Sequence, residues 1–111
     1  NNVRYYVEAA NMPATAEALR LLRLSPKILT AGSKASGSGG VVVSALEMVQ
    51  NSLRYSWTRQ EVDARLKQIM SDIYDASAAA AEEYDLGYDL IAGNDIAAFK
   101  KISQAMIAQG L

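Results

Sequence analysis

The sequence has 111 residues, 50% of them hydrophobic and 21% charged, and its formal net charge is −1. A chain of this length and apolar content folds as one domain or as part of one, and its nearly neutral charge argues against binding nucleic acid or a membrane surface. Cysteine and histidine are absent, which excludes disulfides and histidine-based catalysis, argues against a metal site and suits a cytoplasmic protein.

The start of the chain reads as a strand, a helix and a second strand. Residues 3–7 are a β-prone run, and residues 28–30 are a second short apolar run. Between them, Pro13 suits the first position of a helix that continues to Leu24 and is broken by Ser25 and Pro26. Such a unit predicts two parallel strands that are joined by a right-handed crossover.

Two loops, at residues 8–12 and 31–40, leave the carboxyl ends of these strands. Open α/β sheets bind ligands at that edge, so Asn11 and the second loop should lie on the same side of the sheet. Asn11 offers an amide donor and an acceptor there. The alternative is that Asn11 is only a turn residue or the cap of the following helix, a position that asparagine favours.

The stretch 32–51 is a loop of small residues with one lysine that runs directly into a helix. Gly37, Gly39 and Gly40 permit a sharp turn, and we expect the helix to begin near Gly39 or Gly40. Its first amides lack intrahelical partners and carry the positive end of the helix dipole, which suits an anion. Known phosphate-binding motifs do not fit, because Lys34 precedes the glycines and the G-x-G-x-x-G pattern is incomplete.

Val41 and Ser44 are three residues apart and therefore share a face in the first turns of this helix. An apolar contact and a hydroxyl donor beside free amides fit a carboxylate on a short aliphatic stem. The alternative is that the loop is a linker or an ordinary helix cap, and that Ser44, Glu47 and Asn51 form a solvated polar stripe.

The rest of the chain is predicted to be helical. Residues 40–55 carry an apolar stripe at helical spacing, formed by Val42, Leu46, Val49 and Leu53. Thr58 and Glu61 form a capping box that starts a helix running toward Tyr84. The alanine run at 78–81 favours this helix and permits the close approach of a neighbour.

The last part of the chain predicts one more helix. Gly87 and Gly93 are expected to mark breaks, Asp95 to cap the helix and Gly110 to end it. Its apolar stripe is formed by Ile96, Phe99, Ile102 and Met106. No nucleophile system or dinucleotide fingerprint is found, so the sequence supplies one wall of a ligand site without the catalytic groups.

Four segments, in this order and spacing, resemble the C-terminal quarter of the small bacterial form of the hexameric glutamate dehydrogenases. They are E-A-A-N-M-P-A-T at 8–15, G-G-V-V-V-S-A-L-E-M-V-Q-N at 39–51, V-D-A-R-L-K-Q-I-M at 62–70 and D-I-A-A-F-K-K-I-S-Q-A-M-I-A-Q-G at 95–110. The resemblance implies an α/β fragment, mostly helical. Residues 1–50, with one βαβ unit, would end a Rossmann-like nucleotide-binding domain, and residues 51–111 would form helices that return toward the substrate domain.

The resemblance also implies a function: oxidative deamination of L-glutamate to 2-oxoglutarate and ammonium with NAD or NADP, in a cytoplasmic homo-hexamer. By similarity, Asn11 and Ala10 lie at the nicotinamide, Ser44 binds the side-chain carboxylate, and Val41 and Gly40 contact the rest of the substrate. The catalytic lysine and aspartate of the family have no matching positions here. The 111-residue chain alone is therefore not expected to be active, and its partner is the remainder of the enzyme, with no nucleic acid or membrane.

The chain departs from the family pattern at three positions. Glycine is usual in the family where Ala9 stands, and asparagine where Gly37 and Asp95 stand. The change at Gly37 removes a polar side chain that faces the active cleft in the family.

The alternative to this interpretation is a stand-alone helical interaction or assembly module in which the glycine- and serine-rich loop is only a linker. The coding sequence before Asn1 distinguishes the two. A dinucleotide fingerprint and a lysine-rich substrate domain there would support the enzyme segment.

Overall fold

The computed structural model describes residues 2–111 and is mostly helical, with one small parallel sheet. This confirms the predicted α/β fragment that is mostly helical. The elements in chain order are β1 (Tyr5–Val7), α1 (Ala16–Leu24), β2 (Leu29–Ala31), α2 (Ser33–Ser36), α3 (Ser38–Leu53), α4 (Arg59–Glu83) and α5 (Leu90–Ala108).

The two strands pair in parallel around α1, as the βαβ pattern predicts, with Tyr6 opposite Thr30. Both strands differ slightly from the apolar runs at 3–7 and 28–30. The ladder is bounded by the Leu29 amide, which donates to the Arg4 carbonyl, and by the Glu8 amide, which donates to the Ala31 carbonyl. Pairing between distant residues, and not local apolar content, therefore decides where each strand begins and ends.

Helix α1 begins at Ala16, so the prediction that Pro13 occupies the first helical position is wrong. The Thr15 hydroxyl caps the helix by accepting from the Ala18 amide at 3.2 Å. Met12 adopts a left-handed conformation with φ 49°, which separates Asn11 from the helix. Asn11 is therefore not the N-cap. It lies in the bend at residues 10–12, so the alternative that it is a turn asparagine remains open.

The predicted loop at 31–40 is largely helical. Residues 33–36 form the single turn α2, and α3 begins at Ser38, ahead of the expected start at Gly39 or Gly40. Gly37 has φ −79°, so it is not in the left-handed region and makes no glycine-dependent turn. It instead permits a close approach, because a Cβ there would lie 2.6 Å from the Ser33 carbonyl oxygen.

Helix α3 ends at Leu53, and the next residue, Arg54, takes a left-handed conformation with φ 54°. Its apolar stripe is only partly covered. Val42 and Leu46 are half-buried, whereas Val49 and Leu53 are exposed. The far end of α3 therefore presents apolar side chains to the outside.

Helix α4 begins with the predicted capping box. The Thr58 hydroxyl accepts from the Glu61 amide at 3.3 Å, and the Glu61 carboxyl accepts from the Thr58 amide at 2.7 Å. The hydrogen bond from the Thr58 backbone, aided by that from its side chain, lowers the pKa of Glu61. The capping box thus ends the connection between α3 and α4 and starts the longest helix in the described residues.

Helices α4 and α5 pack closely through small residues. Ala80 and Ala81 are buried, as the alanine run predicts. Gly93 lies within α5 against α4, so the prediction of a break there is wrong; the predicted break at Gly87 is confirmed by its φ of 60° between the helices. A glycine inside a helix usually lowers its stability, and here it allows the backbones to approach.

Helix α5 begins at Leu90 and not after Asp95. Asp89 is its N-cap and accepts from the Ala92 amide at 3.1 Å, so the prediction of Asp95 as the cap is wrong. Asp95 lies in the second turn and pairs with Lys34 at 3.0 Å. Gly110 follows the helix with φ 81°, in the C′ position that the sequence predicts.

Little apolar surface is enclosed within residues 2–111. The buried hydrophobic residues among them are Ala80, Ala81 and Leu90. The predicted stripe of α5 is half-buried at Ile96 and open beyond it, with Phe99 69% and Ile102 60% exposed. Such uncovered apolar stripes are typical of surfaces that pack against further protein.

Asp89 also links α5 to α1, and this contact predicts how the stability of the fold depends on pH. Partial burial raises the pKa of Asp89, but hydrogen bonds from Arg23, at 2.6 and 3.0 Å, and from the Ala92 amide outweigh it and hold this pKa below its usual value of 3.8. Because the pKa of Asp89 is lower in the folded protein than in the unfolded chain, the Asp89–Arg23 pair stabilises the fold at pH values above the unfolded pKa. That stability is lost as the pH falls through the folded pKa.

We therefore expect Asp89→Asn to lower the melting temperature near neutral pH and to flatten its decline below about pH 4. Thermal melts between about pH 6 and about pH 3 measure this. Asp63→Asn, at an exposed position on α4, is the matched control and should keep the slope of the unsubstituted protein. If the melting temperature of Asp89→Asn falls with pH as steeply as that of the unsubstituted protein, other carboxyl groups control acid unfolding.

Candidate functional site

The segments that follow β1 and β2 meet at the carboxyl edge of the sheet. The Glu8 amide donates to the Ala31 carbonyl at 3.0 Å, and the Glu8 carboxyl accepts from the Ser33 amide at 3.0 Å. The Ser36 hydroxyl donates to the Glu8 carbonyl. The two segments therefore lie side by side, as predicted from the parallel strands.

The first segment carries Ala10 and Asn11, both of which are exposed. The Asn11 amide group makes no hydrogen bond with any residue of the described chain, so its donor and acceptor are both available to a ligand. Met12, the next residue, is 87% exposed. This segment offers a polar group and a small side chain on an open surface.

The second segment carries Gly40, Val41 and Ser44 on one open face of α3. Val41 is 71% exposed, and a Cβ at Gly40 would meet no atom within 4 Å. Ser44, one turn beyond Gly40, is also exposed. The predicted pairing of an apolar side chain with a hydroxyl is therefore accessible to a ligand.

The opposite face of α3 is fixed against α4. The Ser38 hydroxyl donates to the Ala35 carbonyl at 2.6 Å and lies 3.6 Å from the Met70 sulfur. A Cβ at Gly39 would lie 3.8 Å from that sulfur and 3.9 Å from Leu66. Packing against α4 thus decides which side of α3 is free, and that side carries the predicted substrate residues.

The start of α3 leaves backbone donors free. No side chain caps the helix, and the amides of Ser38, Gly39 and Gly40 lie in its first turn, where no carbonyl of the same helix can accept from them. Free amides and the positive end of the dipole favour an anion. The predicted electrostatic character is thus present although the helix starts earlier than expected.

Three cavities within the described residues have none of the predicted site positions in their walls. A cavity of about 360 Å³ lies between the β1–α1 connection and α5, with Glu8, Met12, Leu19, Lys34 and Ile91 among its walls. A larger hollow of about 1120 Å³ lies at the amino ends of the strands, beside Arg23 and Asp89, away from the edge where α/β sheets bind ligands. The predicted site is therefore an open wall and not an enclosed pocket.

Two further properties bear on the class of protein. Within residues 2–111, no group of three or more acidic, histidine or cysteine side chains is arranged to hold a metal ion. No helix in the same residues is long and apolar enough to cross a membrane.

Glu8 is the residue at this edge that sequence reasoning missed. It is only 5% exposed, and its amide, carbonyl and carboxyl all bond to residues 31–36. The available signal was its place directly after a β-prone run, because such a residue lies at the carboxyl end of a strand. Its partners are distant in sequence and could not be read from local spacing.

Comparison with known proteins gives consistent matches over the whole chain. The family model described as Glutamate/Leucine/Phenylalanine/Valine dehydrogenase matches residues 1–110. The NAD-specific glutamate dehydrogenase of Clostridium symbiosum is 60% identical over 100% of this chain and 25% of that protein. The NADP-specific glutamate dehydrogenase of Psychrobacter sp. (strain TAD1) is 49% identical over the same shares.

Solved structures match equally well. A glutamate dehydrogenase structure with 59% identity has a TM-score of 0.95 and is matched over 99% of this chain and 24% of its own. Plasmodium falciparum glutamate dehydrogenase 2, at 43% identity, has a TM-score of 0.90 over 96% of this chain and 23% of its own. The chain thus spans about a quarter of the length of the relatives that it matches.

Proposed function

The chain belongs to the glutamate/leucine/phenylalanine/valine dehydrogenase family, and we propose that it is the C-terminal part of an NAD(P)-dependent glutamate dehydrogenase. The reaction is the oxidation of L-glutamate to 2-oxoglutarate and ammonium. This segment supplies one wall of the cleft that holds the substrate and the nicotinamide. The observation that carries the proposal is the open face of Gly40, Val41 and Ser44 at the start of α3, where the helix dipole has its positive end.

The side chain of the substrate is the feature that distinguishes members of this family. Leucine, valine and phenylalanine have wholly apolar side chains, for which an apolar pocket suffices. Ser44 instead offers a hydroxyl beside the exposed Val41. In the proposed complex Val41 packs on the methylenes of glutamate, Ser44 donates to its distal carboxylate, and the free amides add favourable potential.

The nicotinamide side of the cleft is assigned to Ala10 and Asn11. The small side chain of Ala10 and the unpaired amide group of Asn11, both exposed at the carboxyl edge, fit a flat ring with a carboxamide. The bound cofactor supplies the hydride acceptor. The role of this segment is to orient the ring against the substrate carbon, because hydride transfer needs both held in contact.

The catalytic groups belong to the rest of the enzyme. In this proposal residues 1–50 end the nucleotide-binding domain, and residues 51–111 return toward the substrate domain. The first turn of α5 stays attached to the sheet, since a Cβ at Gly32 would lie 3.1 Å from Ile91. The exposed Phe99 and Ile102 on the later turns of α5 would pack on the remainder of the chain.

The assembly and the cellular compartment are proposed by analogy with the family. We propose a cytoplasmic homo-hexamer with NAD or NADP as the cofactor. The family match over residues 1–110 and the small enclosed core argue against a stand-alone helical module. A core of three buried apolar residues recovers too little free energy to hold a chain of this length by itself.

The proposal predicts substrate preference in the full-length enzyme. We expect reduction of NAD or NADP with L-glutamate at a kcat/KM at least about a hundredfold above that with L-leucine, since an apolar side chain leaves the Ser44 hydroxyl unpaired. The 111-residue chain alone should show no activity, because it lacks an acid, a base and a cradle for the cofactor phosphates.

Initial rates with L-glutamate, L-leucine, L-valine and L-phenylalanine, each with both cofactors, measure this preference. The same assay on the separately purified 111-residue chain shows whether this segment turns over substrate without the rest of the enzyme. A higher kcat/KM for any of the three apolar amino acids would overturn the substrate assignment. Turnover by the isolated chain would overturn its assignment as one wall of a larger site.

A further inference from the structure

Glu8 is the last fixed residue before the segment that carries Asn11. No hydrogen bond to or from residues 9–14 occurs within the described chain, and Met12 there has a positive φ. Glu8, by contrast, is 5% exposed and bonded through its amide, its carbonyl and its carboxyl. The position of Asn11 therefore depends on how Glu8 is held.

The groups that hold Glu8 lead directly into α3. Its carboxyl accepts from the Ser33 amide at 3.0 Å, and its carbonyl accepts from the Ser36 hydroxyl. Ser38, at the start of α3, is bonded to Ala35 of the same turn. A short bonded path thus connects the segment of Asn11 to the helix of Val41 and Ser44.

We propose that Glu8 is a positioning residue that sets the distance between the nicotinamide side and the substrate side of the cleft. This inference rests on the proposed function of the segment. The carboxyl group acts as a hydrogen-bond acceptor for the turn α2 and does not touch the substrate or the cofactor. Losing that acceptor would leave the Ser33 amide unpaired in a part-buried place and free residues 9–14 to shift.

The expected kinetic signature is a loss of kcat without an equal change in KM. Each side of the cleft keeps its own contacts, so glutamate and cofactor still bind, but their reacting atoms are misplaced. Since a displacement of about 1 Å can cost about a hundredfold in rate, we expect Glu8→Ala to lower kcat about ten- to a hundredfold. Both KM values should change by less than about threefold.

Three companion variants test the mechanism. Glu8→Gln keeps an oxygen acceptor of the same reach and should return kcat to within about threefold of the parent enzyme. Ser36→Ala removes the hydrogen bond from the Ser36 hydroxyl to the Glu8 carbonyl, and it should lower kcat as Glu8→Ala does. Ser77→Ala is the matched control, because its buried hydroxyl bonds only to Ile73 within α4, and it should leave kcat unchanged.

Steady-state kinetics and thermal melts of the full-length enzyme and these variants decide between the outcomes. A normal kcat in Glu8→Ala, with only a lower melting temperature, would overturn the positioning role. A Glu8→Gln variant as slow as Glu8→Ala would also overturn it, because charge and not hydrogen bonding would then matter. If Glu8→Ala does not fold, Ser36→Ala with a normal kcat overturns the role and a reduced kcat at unchanged KM supports it.

The parent enzyme separates this inference from the function on which it rests. A parent that does not oxidise glutamate with NAD or NADP removes the proposed function and, with it, this role. An active parent whose Glu8→Ala and Ser36→Ala variants keep their kcat overturns the role of Glu8 alone.

Discussion

Gly93→Ala is expected to destabilise the protein by about 3 kcal/mol or more, at the upper end of the range for overpacking. A Cβ at position 93 would lie 1.9 Å from the Ser77 carbonyl oxygen and 3.1 Å from the Ala81 side chain. Neither atom can move easily, because the first belongs to the backbone of α4 and the second is buried. The helices must separate, and the small buried cluster around Ala80, Ala81 and Leu90 would open.

Intrinsic helix preference acts in the opposite direction and is too small to compensate. Replacing glycine by alanine within a helix gains about 1 kcal/mol where nothing is in the way. Gly40→Ala provides that reference, because no atom lies within 4 Å of the added methyl group. Gly40→Ala should therefore leave stability unchanged or slightly raised, while Gly93→Ala lowers it.

Urea unfolding of the full-length enzyme, with the midpoint compared among the parent, Gly93→Ala and Gly40→Ala, measures the difference. Soluble Gly93→Ala with the midpoint of the parent would show that α4 and α5 lie farther apart than described. Loss of soluble Gly93→Ala alongside normal Gly40→Ala agrees with the expected clash.

Sequence reasoning succeeded where the deciding contacts are local. The capping box of Thr58 and Glu61 and the glycine at position 110 involve residues only a few positions apart. The parallel strands were also predictable, because the order of strand, helix and strand restricts the topology. These features together account for the fold class and for the sheet edge at which the candidate site is predicted.

The predictions are wrong where the local structure is determined by a residue that is distant in sequence. The sequence predicts a break at Gly93, because the short distance between this residue and Ser77 is not visible from local sequence. The sequence predicts a loop where α2 forms, because Glu8, whose carboxyl accepts from the Ser33 amide of this turn, lies 25 residues earlier. The spacing of Val41 and Ser44 predicted a shared face of α3, but only packing against Met70 and Leu66 determines that this face is the open one.

The departures from the family pattern have unequal explanations. Asp95 forms an exposed ion pair with Lys34, a contact that contributes little to stability. Glycine at position 37 lets the Ser33 carbonyl lie close to the backbone, where a Cβ would clash with it. Nothing in the structure explains Ala9.

Ser44→Ala is expected to raise the KM for glutamate by roughly ten- to a hundredfold in the full-length enzyme. A hydrogen bond from a hydroxyl to a charged carboxylate contributes about 1.5–3 kcal/mol, which corresponds to that change in affinity. Ser44 is exposed on the open face of α3, so the loss of its hydroxyl should not disturb packing. The KM for the cofactor should barely change, because the residue is assigned to the distal carboxylate.

The maximal rate should change less than the KM for glutamate, since the distal carboxylate does not take part in the chemistry and is bound equally in the ground and transition states. Ser52→Ala is the matched control on the same helix, because the Ser52 hydroxyl bonds to the Met48 carbonyl at 3.0 Å and lies beyond the proposed site. Steady-state kinetics with both substrates varied measures all three constants. An unchanged KM for glutamate, or a defect confined to the cofactor, would mean that Ser44 belongs only to the solvated polar stripe of α3 and that another group selects the carboxylate.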